Sequence, residues 1–276
     1  MTRILIHAGF HKTGTTSLQN HLARHRKRLA PYFTYYGAND FKNAGARARI
    51  YAQRPFPHRL LRFRLAFRRF LRSVPADDVI VLSRETFCGV MPGHRDWRGR
   101  TLQDFAPAAV PLLTVTLQEL HRRFPDARVE LLFTTRDREA WVRSVYGHLL
   151  RSIHLTETFE EFRALFPDLI DLREEAQRIH AALPGRLPLH ITPMEDYADH
   201  RHGPAGAVLD LLEVPQALQD SLAPARRANQ GQSKALEAAF FRLNHAGHSK
   251  RALKRMKDHM LDTAAQTPPA KDTPKA

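Results

Sequence analysis

Short apolar runs alternate with longer amphipathic segments along most of this chain. Five runs predict β-strands, because each is short, rich in branched or aromatic residues and bounded by turn residues. The predicted strands are Ile4–Ile6, Tyr32–Tyr36, Asp78–Ser83, Arg128–Thr135 and Pro188–Thr192. Strands that alternate with helices are typical of a parallel sheet covered by helices, so the pattern predicts an α/β fold.

Apolar residues three or four positions apart predict helices between these strands. Leu18, Leu22 and Leu29 form one such stripe, and Thr158 to Glu161 is a capping box that begins another helix. Further helices are predicted at 59–74, 109–124, from the residues after Asp137 to about 150, at 169–182 and 205–212, and as one or two helices over 233–262. Residues 38–58 and 90–107 show little periodicity, so we predict loops there, the second of them over a site.

Composition is consistent with one cytoplasmic domain. The 276 residues include a single cysteine, Cys88, so no internal disulfide framework is expected. Because Met1–Arg3 leads straight into the first strand, we expect no signal peptide, and no apolar run reaches the length of a membrane span. We expect a single domain over residues 1–262 and a disordered tail over 263–276, which is rich in Pro and Lys.

The positive charge of the chain is concentrated at one end. Residues 1–75 hold 16 Lys and Arg against one acid, which accounts for the whole net charge of +15. The electric field of these charges would attract a polyanionic substrate or an anionic membrane. The alternative is that they form a solvated, arginine-rich surface without a specific partner. Within it, Arg59–Val74 predicts a basic amphipathic helix that either contacts the inner membrane face or packs on the core with its arginines in water.

The segment with the clearest chemistry follows the first strand. Gly9 to Gly14 is a compact glycine loop, and Thr15–Thr16–Ser17 leads into the first helix. A strand, glycine loop and helix in that order hold phosphate or sulfate, because backbone N–H groups at the helix start and the helix dipole favour an anion. Lys12 would add a full positive charge, and the hydroxyls of Thr13, Thr15 and Thr16 would add donors.

The loop departs from the Walker P-loop, G-x-x-x-x-G-K-[ST]. Its glycine spacing fits, but Thr15 stands where the Walker lysine would be, and Lys12 comes two residues before Gly14. Lys-Thr-Gly-Thr-Thr after a strand resembles the 5′-phosphosulfate loop of the sulfotransferases that use 3′-phosphoadenylyl sulfate (PAPS). The resemblance implies a three-layer, P-loop NTPase-like fold with a central parallel sheet, and PAPS as co-substrate.

A second part of the resemblance lies after the strand Arg128–Thr135. Sulfotransferases bind the 3′-phosphate of the donor with an arginine just after a strand and a serine about eight positions later. Arg136 and Ser144 have that placement here, and a guanidinium and a hydroxyl suit a phosphate. The segment Ala225–Asn229 followed by Ser233 resembles another donor-binding segment of bacterial sulfotransferases, which assigns Arg227 to the phosphate.

Catalysis of sulfuryl transfer needs a positive charge at the leaving oxygen and a base at the acceptor. Lys12 fills the first role and contacts the donor. Glu85 resembles the glutamate that serves as base in glycan sulfotransferases, whereas cytosolic members use a histidine, so His7, His11 and His148 stay open as alternatives. The sequence has no His, Cys and Asp cluster at metal-ligand spacing, so no metal is expected.

Several interpretations remain open. A nucleotide or sugar kinase of the P-loop class, a basic module that binds nucleic acid or membrane through residues 24–72, and a mere glycine turn with threonine caps are the alternatives. The acceptor is unidentified, and a glycan, a lipid headgroup or a small metabolite would all supply a hydroxyl or amine. We expect an anionic glycan or membrane lipid rather than a specific nucleic acid as the partner.

Overall fold

A five-stranded sheet forms the centre of the protein, in a computed structural model that describes residues 1–166, 171–226 and 233–266. All strands run parallel in the order β2-β3-β1-β4-β5. The strands are β1 Arg3–His7, β2 Thr34–Tyr36, β3 Val79–Ser83, β4 Arg128–Thr135 and β5 Leu189–Pro193. The predicted strands are therefore all confirmed, each with its ends displaced by no more than two residues. Because the strands are parallel, the residues after β3, β1 and β4 emerge next to one another at one edge.

Twelve α-helices surround the sheet in the described part of the chain. They are α1 Thr15–Arg24, α2 Arg26–Leu29, α3 Lys42–Gln53, α4 Pro57–Leu71, α5 Ala106–Arg123, α6 Arg138–Ser152, α7 Phe159–Ala164, α8 Leu172–Ala181, α9 Gly206–Leu211, α10 Gln216–Ser221, α11 Lys234–His245 and α12 Lys250–Gln266. The capping box at Thr158 is present, with both of its hydrogen bonds. This α/β architecture is compatible with a three-layer sandwich.

The loop predicted for residues 38–58 is wrong, because α3 occupies most of it. The buried side of α3 consists mainly of Ala44, Ala48 and Ala52, with Tyr51 beside them. Alanine is only weakly hydrophobic, so the buried and exposed sides of α3 differ little in hydrophobicity and the helical periodicity of its sequence is weak. The helix nevertheless packs closely against α4. The short helix α10 was also not predicted.

Two hydrophobic cores lie on opposite faces of the sheet. Ile4 and Ile6 of β1 face a large core that contains residues of α3–α6 and α8, whereas Leu5 faces a smaller core with residues of α1 and α9. Alternation along a strand sends neighbouring side chains to opposite faces, and both faces of this strand are covered. The near-continuous apolar run of β1 follows from that double burial.

The amphipathic helix predicted at 59–74 is confirmed as α4, and its apolar stripe belongs to the core. Phe63 and Phe67 are fully buried. On its flank, Arg64 and Arg68 each donate to the buried Glu119 at 2.6 Å. The hydrogen bond from Arg68 is the main cause that lowers the pKa of Glu119 to about 2. Membrane contact by α4 would have to use its outer side, where Leu61 and Leu65 are exposed.

The end of the chain differs from its prediction. Helix α12 continues to Gln266, so residues 263–266 belong to a helix and not to a disordered tail. Residues 267–276 lie outside the described part of the chain. Within the residues that the structure describes, none of the helices combines the length and the apolar character needed to cross a membrane.

Candidate functional site

The glycine loop between β1 and α1 has a compact, left-handed backbone. The φ angles of Gly9, Lys12 and Gly14 are 48°, 71° and 82°. A Cβ at Gly9 would lie 2.7 Å from Thr15 Cγ2, and one at Gly14 would lie 2.7 Å from Pro204 Cγ. Glycine is therefore required at both positions for steric and conformational reasons. The turn delivers the chain to the N-terminus of the ten-residue helix α1, where free N–H groups and the helix dipole favour an anion.

A buried hydrogen-bond network anchors the base of the loop to three strands. Thr13 Oγ1 donates to the Phe10 carbonyl oxygen at 2.7 Å and lies 2.8 Å from Thr134 Oγ1. His7 Nδ1 lies 2.7 Å from Ser83 Oγ, and its Nε2 lies 3.2 Å from Thr134 Oγ1. The side chain of Thr13 is thus used internally, which leaves its backbone N–H as its donor for a ligand.

His7 is poorly placed to act as the base. Its side chain is fully buried, and both ring nitrogens are engaged by the network. Burial lowers the pKa of His7 to about 4, against a smaller opposing effect of the Glu85 charge. We assign it to the architecture of the loop.

Lys12 and Arg136 meet at the neighbouring ends of β1 and β4. Arg136 donates to the carbonyl oxygen of Lys12 at 3.3 Å, and both side chains are half-buried. Burial lowers the pKa of Lys12, and the charges of Arg151 and Arg136 lower it further. The acids next to Arg136 are used elsewhere, since Asp137 caps α6 and Glu139 pairs with Arg163. Two cations are thus held together although they repel, an arrangement that an anion would stabilise.

The remaining predicted donor residues line the start of α1 and one face of α6. Thr15 is buried and Thr16 is exposed, and neither hydroxyl is hydrogen-bonded to another described residue. Ser144 lies two turns into α6, half-buried and likewise without a hydrogen-bonded partner among the described residues. Arg227 falls outside the described part of the chain. Ser233, from the same segment, caps α11 through Leu236 N at 3.2 Å.

Glu85 follows β3 and begins a short 3-10 helix that ends at Cys88. Gln19 of α1 donates to Glu85 Oε2 at 2.9 Å, which orients the carboxylate from the side of the loop. Burial raises the pKa of Glu85, but the charge of His11 and the hydrogen bond from Gln19 outweigh burial, so its pKa is lowered. The carboxylate is therefore ionised near neutral pH and can accept a proton.

His11 lies beside Glu85 and is fixed by the loop. Its Nε2 lies 3.1 Å from the Gly89 carbonyl oxygen, to which it donates, and Trp141 donates to the His11 carbonyl oxygen at 2.8 Å. Burial lowers the pKa of His11, while the charge of Glu85 opposes that shift. A neutral His11 keeps Nδ1 as an acceptor, so it stays the main alternative to Glu85 as base.

The structure also brings in residues that sequence reasoning missed. Arg49, His94 and Arg151 all interact electrostatically with the loop or with its histidines. Arg151 could have been found by helical spacing, because it shares one face of α6 with Ser144 and His148. Arg49 was hidden in a segment predicted as a loop. In the described ranges, no group of three or more His, Cys, Asp or Glu is arranged to hold a metal ion.

A second histidine cluster supports the loop from outside. His21 and His202 have ring centroids 4.9 Å apart and pack the turn at 202–205 onto α1, so that Pro204 covers Gly14. Both ring nitrogens of His21 are buried without a hydrogen-bond partner among the described residues. Burial, followed by the charges of His25 and His202, lowers the pKa of His21 to about 4.

This cluster predicts a loss of stability in mild acid. A histidine whose folded pKa is lowered contributes stability above its unfolded pKa, and that stability is lost as pH falls from about 6.5 towards 4. We expect the free energy of unfolding of the wild type to fall over this range, with roughly 1 to 3 kcal/mol due to His21. Urea unfolding at pH 7.5 and pH 5 measures the difference. His21→Leu should reduce it and His58→Gln, at an exposed position of α4, should not; equal pH dependence in all three proteins would contradict the assignment.

Comparison of the chain with protein-family models and with curated proteins found no match.

Proposed function

We propose that the protein is a sulfotransferase that moves a sulfuryl group from PAPS to a hydroxyl or amine of an acceptor. The observation that carries the proposal is the contact between Lys12, in the glycine loop after β1, and Arg136, after β4. Two anion-binding positions on neighbouring parallel strands suit a nucleotide with phosphates at both its 5′ and 3′ positions. The P-loop NTPase-like character of the fold is part of the same proposal.

The residues present fit this donor. The left-handed loop, the N-terminus of α1 and Lys12 would hold the 5′-phosphosulfate, and Arg136 with Ser144 would hold the 3′-phosphate. Thr15 and Thr16 retain hydroxyls that no described residue engages. These groups supply positive charge and N–H donors where negative charge develops.

The proposed transfer is an in-line displacement at sulfur. The acceptor oxygen or nitrogen forms a bond to sulfur while the bond from sulfur to the 5′-phosphate oxygen breaks, and adenosine 3′,5′-bisphosphate leaves. Glu85 takes the proton of the acceptor, and Lys12 stabilises the charge on the leaving oxygen. Gln19 orients Glu85 for this role.

Nucleotide binding tests the proposal directly. Adenosine 3′,5′-bisphosphate should raise the melting temperature, because a ligand at about 100 times its Kd adds roughly 2.7 kcal/mol. In calorimetry, Arg136→Ala should weaken the binding free energy of this ligand by about 1.5 to 3 kcal/mol. The binding of adenosine 5′-phosphate should be nearly unaffected. Arg143→Ala is the matched control, since Arg143 lies on α6, the helix that follows Arg136, and pairs with Glu237 at 2.7 Å.

Two outcomes would count against the proposal. Stabilisation by ATP with Mg²⁺ and none by the bisphosphate would favour the kinase alternative. An equal loss of affinity for both nucleotides in Arg136→Ala would show that Arg136 does not bind the 3′-phosphate.

A further inference from the structure

A second basic cluster lies beside the glycine loop, and the donor-binding assignment does not use it. It consists of Arg49 on α3, His94 in the segment after the 3-10 helix, and His148 and Arg151 on α6. We call these four residues the outer basic cluster. Arg151 donates to His148 Nδ1 at 3.2 Å.

The segment Gly89–His94 packs against both helices that carry this cluster, α3 and α6. Its first residue accepts a hydrogen bond from His11, and a Cβ there would lie 2.7 Å from Ala52 Cβ of α3. A Cβ at Gly93 would lie 2.5 Å from Leu149 Cδ1 of α6. The segment therefore touches α3 one turn beyond Arg49 and touches α6 next to His148. It begins four residues after Glu85, and His11 interacts electrostatically with both Glu85 and His94, which relates the cluster to the proposed base.

The cluster is cationic, and in the part of the chain that the structure describes no carboxylate is paired with it. Within the described residues, neither Arg49 nor Arg151 forms an ion pair, in contrast to Arg64 and Arg68, which share Glu119. His94 is only 7% exposed, yet its ring makes no hydrogen bond to another described residue. Arg151 is half-buried and Arg49 is exposed. A nearly buried histidine ring and a half-buried guanidinium, neither of them paired with a described carboxylate, are groups that an anionic ligand would stabilise.

Electrostatics place the cluster next to the reacting groups. Burial lowers the pKa of His148 to about 3, followed by the charges of Lys12 and Arg151. Burial lowers the pKa of His94 to about 4, followed by Arg49 and His11. Each residue therefore interacts with a second member of the cluster or with a member of the loop, and with both histidines neutral the positive charges are those of Arg49, Arg151 and Lys12. A negative group placed among them would relieve the repulsion.

We propose that the outer basic cluster binds an oxyanion of the acceptor, either a carboxylate, a phosphate or a sulfate, while the acceptor's hydroxyl or amine faces Glu85. Arg49 of α3 and Arg151 of α6 provide guanidinium groups, and His94 and His148 provide neutral ring donors. This inference rests on the proposed sulfotransferase function and adds the chemical class of the acceptor to it. Neutral hydroxyl compounds would lack the partner that the cluster needs.

Matched acceptors test the proposal on protein saturated with adenosine 3′,5′-bisphosphate. Calorimetry would compare methyl glucoside, which is neutral, with glucuronate and glucose 6-phosphate. Vesicles of phosphatidylglycerol and of phosphatidylcholine form a second arm, which separates a lipid headgroup from a free anion. The wild type should bind at least one anionic probe tenfold or more tightly than its neutral counterpart, and transfer of labelled sulfate from PAPS should follow the same order.

Variants then assign the preference to the cluster. Arg151→Ala and Arg49→Ala should each reduce binding of the anionic probe about tenfold or more, with the affinity for the bisphosphate unchanged. Arg151→Lys should restore part of the loss. Arg47→Ala on α3 and Arg143→Ala on α6 remove equal charge from other faces of the same helices and should leave the preference intact. Melting temperatures confirm that each variant is folded.

The inference and the proposed function fail in different ways. A wild type that binds the bisphosphate but binds no anionic probe better than the neutral one would overturn the inference alone. Loss of bisphosphate affinity in Arg151→Ala, without a change in anion preference, would also overturn it and assign Arg151 to the donor. A wild type that does not bind the bisphosphate would overturn the sulfotransferase proposal itself.

Discussion

Replacement of Glu85 by glutamine should reduce turnover about 10²–10⁴-fold while the affinity for adenosine 3′,5′-bisphosphate stays near that of the wild type. Glutamine keeps the size of the side chain, and its carbonyl oxygen can still accept the hydrogen bond from Gln19. What disappears is the basic carboxylate, whose ionised form the hydrogen bond from Gln19 stabilises. The loss should therefore appear in proton transfer and not in donor binding.

Three measurements on the same Glu85→Gln protein decide its role: turnover, bisphosphate affinity and melting temperature. Gln19→Ala serves as a control, because it removes the orienting hydrogen bond and keeps the carboxylate, and it should cost far less turnover. A Glu85→Gln enzyme with nearly full turnover and about 1 kcal/mol less stability would mark Glu85 as a structural group. The role of base would then pass to His11, since both ring nitrogens of His7 are already hydrogen-bonded.

Replacement of Lys12 by alanine should damage donor binding and turnover together. In the proposed mechanism the ammonium group contacts the donor in the ground state, and its importance grows as charge develops on the leaving oxygen. We expect bisphosphate affinity to fall by about 1.5 to 3 kcal/mol. Turnover should fall a further 10²-fold or so, as when a preorganised donor to developing charge is removed.

Lys12→Gly separates this functional role from the fold. Lys12 has a φ of 71°, a left-handed conformation that costs a non-glycine residue roughly 1 to 2 kcal/mol. Glycine should relieve that strain, so Lys12→Gly is expected to melt at a higher temperature than wild type and yet to be as inactive as Lys12→Ala. Donor titration, turnover and thermal unfolding of both variants check this. Wild-type turnover in either variant would exclude Lys12 from the chemistry, and a lower melting temperature for Lys12→Gly would show that the side chain stabilises the loop.

The strands and the loop could be predicted from local sequence. The apolar runs of β1, β3 and β4 are continuous because both faces of the sheet are covered, and glycines mark the turn that needs left-handed φ angles. The positions after these strands, including Glu85 and Arg136, could be expected at one edge as soon as the strands were taken as parallel. Helix α3 was not predicted, because the alanines on its buried side give only a weak apolar periodicity.

Local sequence does not decide which histidine is best placed to act as a base. His7, His11 and His148 all qualified as bases by residue type. Ser83 and Thr134, which lie far from His7 in the chain, engage both of its ring nitrogens. Nδ1 of His11, in contrast, has no hydrogen-bond partner among the described residues. Hydrogen-bond partners so distant in sequence depend on strand order, which single-sequence patterns do not encode.

The amino-acid pattern alone was thus sufficient for the α/β class and for the glycine loop with its lysine, because periodicity and glycine spacing are local properties. Only the folded chain decided that the loop lies between the ends of β3 and β4 and that Arg136 touches Lys12. The same holds for the outer basic cluster, whose members come from α3, a loop and α6. These residues are brought together by packing within one core between segments that are far apart in the sequence. The burial of their side chains then determines which charged groups have no partner among the described residues.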